Sequence, residues 1–174
     1  TNNYRAHNPM THLKLKKNSL CIKLFFAASS FLFLGCGEQH SEKFNSLPEN
    51  YKSIDCAGGI ETINAKRISS TTSVEDNENL VINGWAVLNT NEGLPFDKVQ
   101  ISITDARDNI VRYSTFKTKR DDVSTYFKQG LDDSGFTTFI PSSSIKGIVI
   151  LNVIGIKGQQ YYLCKNLQQR TSIH

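Results

Sequence analysis

Between Cys56 and Cys164 the chain contains no histidine. That absence excludes Ser-His-Asp and Cys-His catalysis built within the segment, and His-based metal sites with it. The four histidines of the chain are His7, His12, His40 and His174. Only four cysteines occur, and from Cys56 onward only two, fewer than a structural zinc site uses. No phosphate-cradling loop is present: Ala57-Gly58-Gly59 is not followed by the Lys-Ser/Thr pair that would make it chemical. There is no EF-hand spacing among the acidic residues, so neither a metal nor an organic cofactor is expected. The longest uncharged apolar run, residues 24–35, is short of the roughly 20 residues a membrane-spanning helix needs.

The charge is unevenly spread. The 174 residues carry a formal net charge of +4, which would ordinarily raise nucleic acid as a partner. All 16 acidic residues lie after Cys36, whereas Arg5, Lys14, Lys16, Lys17 and Lys23 precede it. From Cys36 onward basic and acidic residues nearly balance, with a net of −1. Lys117, Lys119 and Arg120 form one short basic cluster, too small for a groove-sized stripe, so no nucleic-acid partner is expected.

The N-terminal pattern is that of an export signal. A lysine-rich flank precedes Leu24-Phe25-Phe26-Ala27-Ala28-Ser29-Ser30-Phe31-Leu32-Phe33-Leu34-Gly35, and Phe25, Phe26, Phe31 and Phe33 cover all sides of a helix rather than one face. Met10 stands where an initiator would give an n-region of usual length, so Thr1 to Pro9 are expected to lie upstream of the translated protein. The run ends in Leu32-Phe33-Leu34-Gly35-Cys36, which resembles the lipobox of bacterial lipoproteins, with Phe33 where leucine is usual. The resemblance implies cleavage before Cys36, a lipid on its sulfur, and a mature chain of 139 residues. By the same resemblance, Gly37 in the second mature position implies the outer membrane, facing the periplasm or the surface.

Residues 36–55 are polar, and beyond Cys36 they read as a flexible linker reaching roughly 24 Å. Once Cys36 is lipidated and Cys21 is removed with the signal, Cys56 and Cys164 are left together in an oxidising compartment, where a disulfide is the simplest fate.

Residues 56–165 alternate with period two. Val99, Ile101 and Ile103 interleave with Gln100, Ser102 and Thr104; Leu80 to Leu88 divides into two faces; Ile148 to Ile156 is apolar on both. Ile110 to Lys117 reads as one return strand after the Asp105–Asn109 turn, with shorter strands at Gly59–Ile63, Thr137–Ile140 and Tyr161–Leu163. About seven strands predict an all-β fold, an antiparallel, immunoglobulin-like β-sandwich. Residues 166–174 read as a tail. In Arg120 to Gly130 an acidic residue is placed to cap a short helix, Val123, Tyr126 and Phe127 share one side, and Gly130 can end it; this helix is expected to plug an end of the sandwich.

Asn83-Gly84-Trp85-Ala86, Arg120-Asp121-Asp122-Val123, Ser134-Gly135-Phe136 and the Tyr162-x-Cys164 ending resemble a β-sandwich module of bacterial envelope proteins, with Gly-Trp-Ala, Arg-Pro-Asp-Val and Ser-Gly-Phe signatures. The module is appended to envelope glycosyltransferases and other membrane-associated proteins. Asp121 stands where its proline is usual. The resemblance implies a fold and transfers no activity.

Three functions follow in order. The first is a non-catalytic envelope lipoprotein, anchored through Cys36, presenting a sandwich to a protein or glycan partner. The second is a carbohydrate-binding module in which Trp85, Tyr113 or Tyr126 stacks on sugar. Trp85, mid-strand, reads first as a core residue, and Tyr113, Tyr126 and Arg120 as the exposed patch. The third is a small hydrolase using Asp121-Asp122 or Asp132-Asp133, pairs that read more simply as caps and loop charges. Calcium held by Asp132 and Asp133, or by Asp105 and Asp108, is a further alternative for these carboxylates, without EF-hand-like spacing to support it.

Overall fold

The computed structural model describes residues 41–68, 73–74, 79–141, 143 and 145–174. The segment expected to be an export signal, Cys36 and residues 37–40 lie outside them. Along the described residues the strands are β1 (Lys43–Phe44), β2 (Tyr51–Ile54), β3 (Ala57–Ile63), β4 (Lys66–Arg67), β5 (Ser73–Val74), β6 (Asn79–Asn89) and β7 (Leu94–Pro95). They continue with β8 (Lys98–Thr104), β9 (Ile110–Ser114), β10 (Phe116–Thr118), a single helix α1 (Asp121–Phe127), then β11 (Gly135–Pro141), β12 (Gly147–Lys157) and β13 (Gln160–Ile173).

These strands form two sheets. One runs β1-β9-β8-β12-β13-β2, with β5 also on β13; the other runs β10-β11-β6-β3-β4, with β7 on β6. The side-chain period sets the faces. Ile101, Ile103, Val149, Leu151, Val153 and Cys164 from the first sheet meet Ile63, Leu80, Ile82, Ala86, Phe136 and Ile140 from the second in one buried cluster. The all-β sandwich is therefore the fold, with more strands than seven among the described residues, the added ones short. Its long pairings are antiparallel, while β2 and β5 join β13 in parallel.

The expected single strand from Ile110 to Lys117 is two strands in different sheets. β9 pairs with β8, β10 pairs with β11, and the chain changes sheet at Thr115, whose hydroxyl donates to the Val99 carbonyl at 2.8 Å. The expected tail is also structured. β13 continues to Ile173 and pairs with β12 on both sides of a register shift between Leu151 and Val153, with Leu167, Thr171 and Ile173 buried. Thr171 at an inward position broke the apolar alternation that would have marked it.

The larger correction is the linker. From Ser41 onward it belongs to the sandwich: β1 covers the β9 edge of the first sheet and β2 covers the β13 edge. Between them the chain crosses five interstrand spacings, about 24 Å at 4.8 Å each, which the seven chain steps from Phe44 to Tyr51 span only when nearly extended. This strap lies on the sheet's outward face, where Gln100, Ser102, Arg112 and Ile154 are buried although they point away from the core. Arg112 donates through Nε to the Ser46 carbonyl and through Nη1 to Gln100 at 2.5 Å, and its guanidinium lies 4.8 Å from the Phe44 ring centre. The strap needs few apolar side chains because its main chain and Arg112 provide the attachment; hence it looked like a linker.

Cys56 and Cys164 form a disulfide, 108 positions apart, between the start of β3 and the middle of β13. Asn166 reinforces the joint by accepting from the Cys56 amide at 2.9 Å and donating to its carbonyl at 2.8 Å.

Candidate functional site

The outward face of the second sheet carries a groove of about 390 Å³ lined by Glu61, Trp85, Arg120, Asp122, Val123, Tyr126 and Phe127. Three segments distant in sequence build it. β6 and β11 pair so that Trp85 lies opposite Gly135, and Gly84 opposite Phe136. Both glycines serve close approach. A methyl on Gly135 would stand 2.7 Å from Cγ of Arg120, and one on Gly84 would stand 2.7 Å from the Phe136 ring and against the Gly59 carbonyl. The bare backbone at Gly135 thus seats the Arg120 stem beside Trp85.

Helix α1 forms the second wall. It lies against the outward face of the sheet rather than plugging an end of the sandwich: Val123 and Phe127 pack with Val87, Leu131, Ala57 and Trp85, apart from the main core. Its N-cap is Arg120, with no side-chain capping bond, although Asp121 and Asp122 occupy the first turn, where negative charge suits the helix dipole. Its end falls at Lys128, which takes the left-handed conformation (φ 54°), two residues before Gly130. Trp85 and Phe127 ring centres lie 5.9 Å apart, and Tyr126 meets Phe127 edge-on at 4.9 Å. Tyr126 is 81% exposed.

Glu61 arrives through a β-bulge. Ile60 pairs with Gly84 and Thr62 with Asn83, so Glu61 is the extra residue and stands out of the ladder. Its carboxylate accepts two hydrogen bonds from Arg120, at 2.8 and 3.1 Å, while Asp122 accepts two more at 2.8 and 2.7 Å. The side-chain bond from Arg120, foremost, draws the Asp122 pKa down to about 2, and the two carboxylates hold the Arg120 pKa above its ordinary value. The guanidinium is thereby fixed between two anions that both line the groove and keep further acceptor capacity.

Of the residues singled out from the sequence, Trp85, Arg120 and Tyr126 come together here, and Trp85 is half-buried in the groove wall rather than in the core. Tyr113 does not join them. It is 1% exposed, on β9 in the other sheet, packed in the main core opposite Ile101, and is removed from the exposed patch. Sequence reasoning missed Glu61, Asp122 as a groove residue, and Phe127. Asp122 and Phe127 were visible in the helix pattern; Glu61 depended on an unforeseen bulge.

Three other acidic groups singled out from the sequence are engaged in local structure. Asp132 and Asp133 each lie 2.8 Å from Lys119 Nζ, and the Lys119 bond lowers the Asp132 pKa. Asp105 organises the β8–β9 turn, accepting from the Arg107 and Asn109 amides and from the Asn109 side chain, which holds its pKa low. Among the described residues no group of three or more His, Cys, Asp or Glu side chains is placed to hold a metal ion, and no helix is long and apolar enough to cross a membrane. No family model and no curated protein matches the chain.

Proposed function

We propose that this chain is a non-catalytic lipoprotein of the bacterial cell envelope, anchored through Cys36, whose β-sandwich binds an envelope glycan in the Trp85–Tyr126 groove. One observation carries the choice of glycan over protein: aromatic rings and fixed carboxylates share one shallow groove. Sugar rings present C–H faces that lie on aromatic rings, and hydroxyls that donate to carboxylates. Trp85 and Tyr126 supply the first, and Glu61 and Asp122 the second, with Arg120 holding both carboxylates in place. Asp122, bonded to Arg120, has its pKa shifted downward, opposite to the change that a general acid for glycoside hydrolysis requires.

The test is retention of the protein on immobilised, solubilised envelope glycan, with wild type and Tyr126→Ala compared. Tyr126 is exposed enough that its loss leaves the fold intact. Retention that falls about fivefold to tenfold in the variant, the order expected for losing one aromatic contact of about 1–1.5 kcal/mol, supports the reading. Equal retention of both proteins, or none of either, refutes it.

A further inference from the structure

A second feature lies on the same outward face, at its other end. Phe116, on the short edge strand β10, is 39% exposed, and its ring lies 5.9 Å from that of half-buried Phe139 on β11. Val81 pairs with Phe139 and continues the apolar row onto β6. Asn83, Thr62 and Thr137, joined by side-chain hydrogen bonds, separate this row from the Trp85 groove.

The row stands where the N-terminal segment enters the fold. β10 pairs with β11 only as far as Thr137, leaving the Phe139 main chain open on that side. Ser41 fills the gap: its amide donates to the Phe139 carbonyl at 3.2 Å, and the Phe139 amide donates to its hydroxyl at 3.0 Å. Ser41 lies five positions after Cys36, and five fully extended chain steps reach at most about 17 Å. A headgroup layer takes up roughly 6 Å of that distance. With a lipid on Cys36, Phe139 belongs to the part of the fold held nearest the membrane, and the patch has no room to turn far from it.

We infer that the Phe116–Phe139 row is a membrane-docking surface that rests on the phospholipid face beside the anchor. The inference depends on the lipoprotein reading and goes beyond it, because it assigns an orientation. Val81 is four residues along β6 from Trp85, about 13 Å, so docking sets the glycan groove over the headgroup layer.

The experiment uses the acylated mature protein in phosphatidylethanolamine–phosphatidylglycerol vesicles with and without brominated acyl chains. Tryptophan is introduced by Phe116→Trp, and separately by Ile148→Trp, in a Trp85→Phe background. Ile148 is 49% exposed on the far side of the sandwich and serves as the remote position. Bromination is expected to remove about half of the Phe116→Trp emission and to leave Ile148→Trp unchanged. Should the double variants not fold, each single variant is read against the Trp85 signal of wild type.

Mass spectrometry and flotation of the same samples separate the two ideas. Unmodified Cys36, with no flotation, overturns anchor and docking together. Acylated, floating protein whose Phe116→Trp emission is quenched no more than that of Ile148→Trp overturns docking alone. So does emission that shifts only when envelope proteins are added, which makes the row a protein contact.

Discussion

Reducing the Cys56–Cys164 bridge should lower the thermal midpoint of the sandwich without dissolving its native contacts. The bridge closes a loop of 108 positions between the two sheets. In the chain-entropy account, a loop of that length removes about 16 cal/mol/K from the unfolded ensemble, or about 4.8 kcal/mol at 25 °C. The folded unit covers roughly 130 residues, so its unfolding entropy is about 0.27 kcal/mol/K, and the expected fall in midpoint is about 18 °C. The native joint keeps the β2–β13 pairing and both Asn166 bonds to the Cys56 main chain. Far-ultraviolet circular dichroism at 20 °C should therefore be unchanged on reduction. Because the effect acts on the unfolded chain, the denaturant m-value should rise as that chain expands. The assay is thermal and urea unfolding of wild type with and without reductant, beside the Cys56→Ala/Cys164→Ala variant. A midpoint shift below about 5 °C, with both states two-state, refutes the unfolded-chain account. Loss of native ellipticity at 20 °C shows instead that the bridge holds the folded joint.

Gly84→Ala should destabilise the fold by at least the 1–3 kcal/mol typical of an overpacked core, since the new methyl meets the Gly59 main chain and the Phe136 ring; urea unfolding measures it, and a change under about 0.5 kcal/mol contradicts the close approach. Arg112→Leu leaves the Gln100 side chain and the Ser46 carbonyl without their donor, so hydrogen exchange in residues 41–50 should accelerate; unchanged protection there means the strap does not depend on Arg112. The groove should also respond to acid. Asp122 has a lowered pKa, so its stabilising pairing with Arg120 is complete above the ordinary carboxylate value near 4 and is lost as pH falls through about 2. Trp85 emission should hold steady from neutral pH to about 4 and change between about 4 and 2; a transition centred above about 5 contradicts the ion-pair geometry.

Wherever side-chain periodicity carried the information, the fold was open to sequence reasoning. The Leu80–Leu88, Val99–Thr104 and Ile148–Ile156 alternations lie within β6, β8 and β12, and the disulfide followed from the two cysteines left over. What escaped was held by the main chain or by single polar contacts. The strap from Ser41 to Ile54 attaches through backbone pairing and Arg112, and neither leaves a hydrophobic pattern. The end of β13 passed for a tail because Thr171 occupies a core-facing position. The change of sheet at Thr115 was invisible because strand residues continue on both sides of it. At the groove, two short motifs supplied Trp85 and Arg120 and the helix spacing supplied Tyr126, whereas Glu61 required knowledge of a bulge. Tyr113 shows the converse limit: a tyrosine on an alternating strand reveals its face only once the register is known.

Trp85 gives the most direct measurement on the central claim, because it forms the back of the groove and is the only tryptophan in the chain. Its emission in wild-type protein can be followed during titration with soluble oligosaccharides released from bacterial envelopes, with acrylamide quenching at each point. A glycan-binding groove predicts that Trp85 is quenchable when free, and that sugar shifts its emission to the blue and protects it from acrylamide in a saturable way. Emission that is quenchable yet indifferent to every envelope glycan fraction contradicts the account.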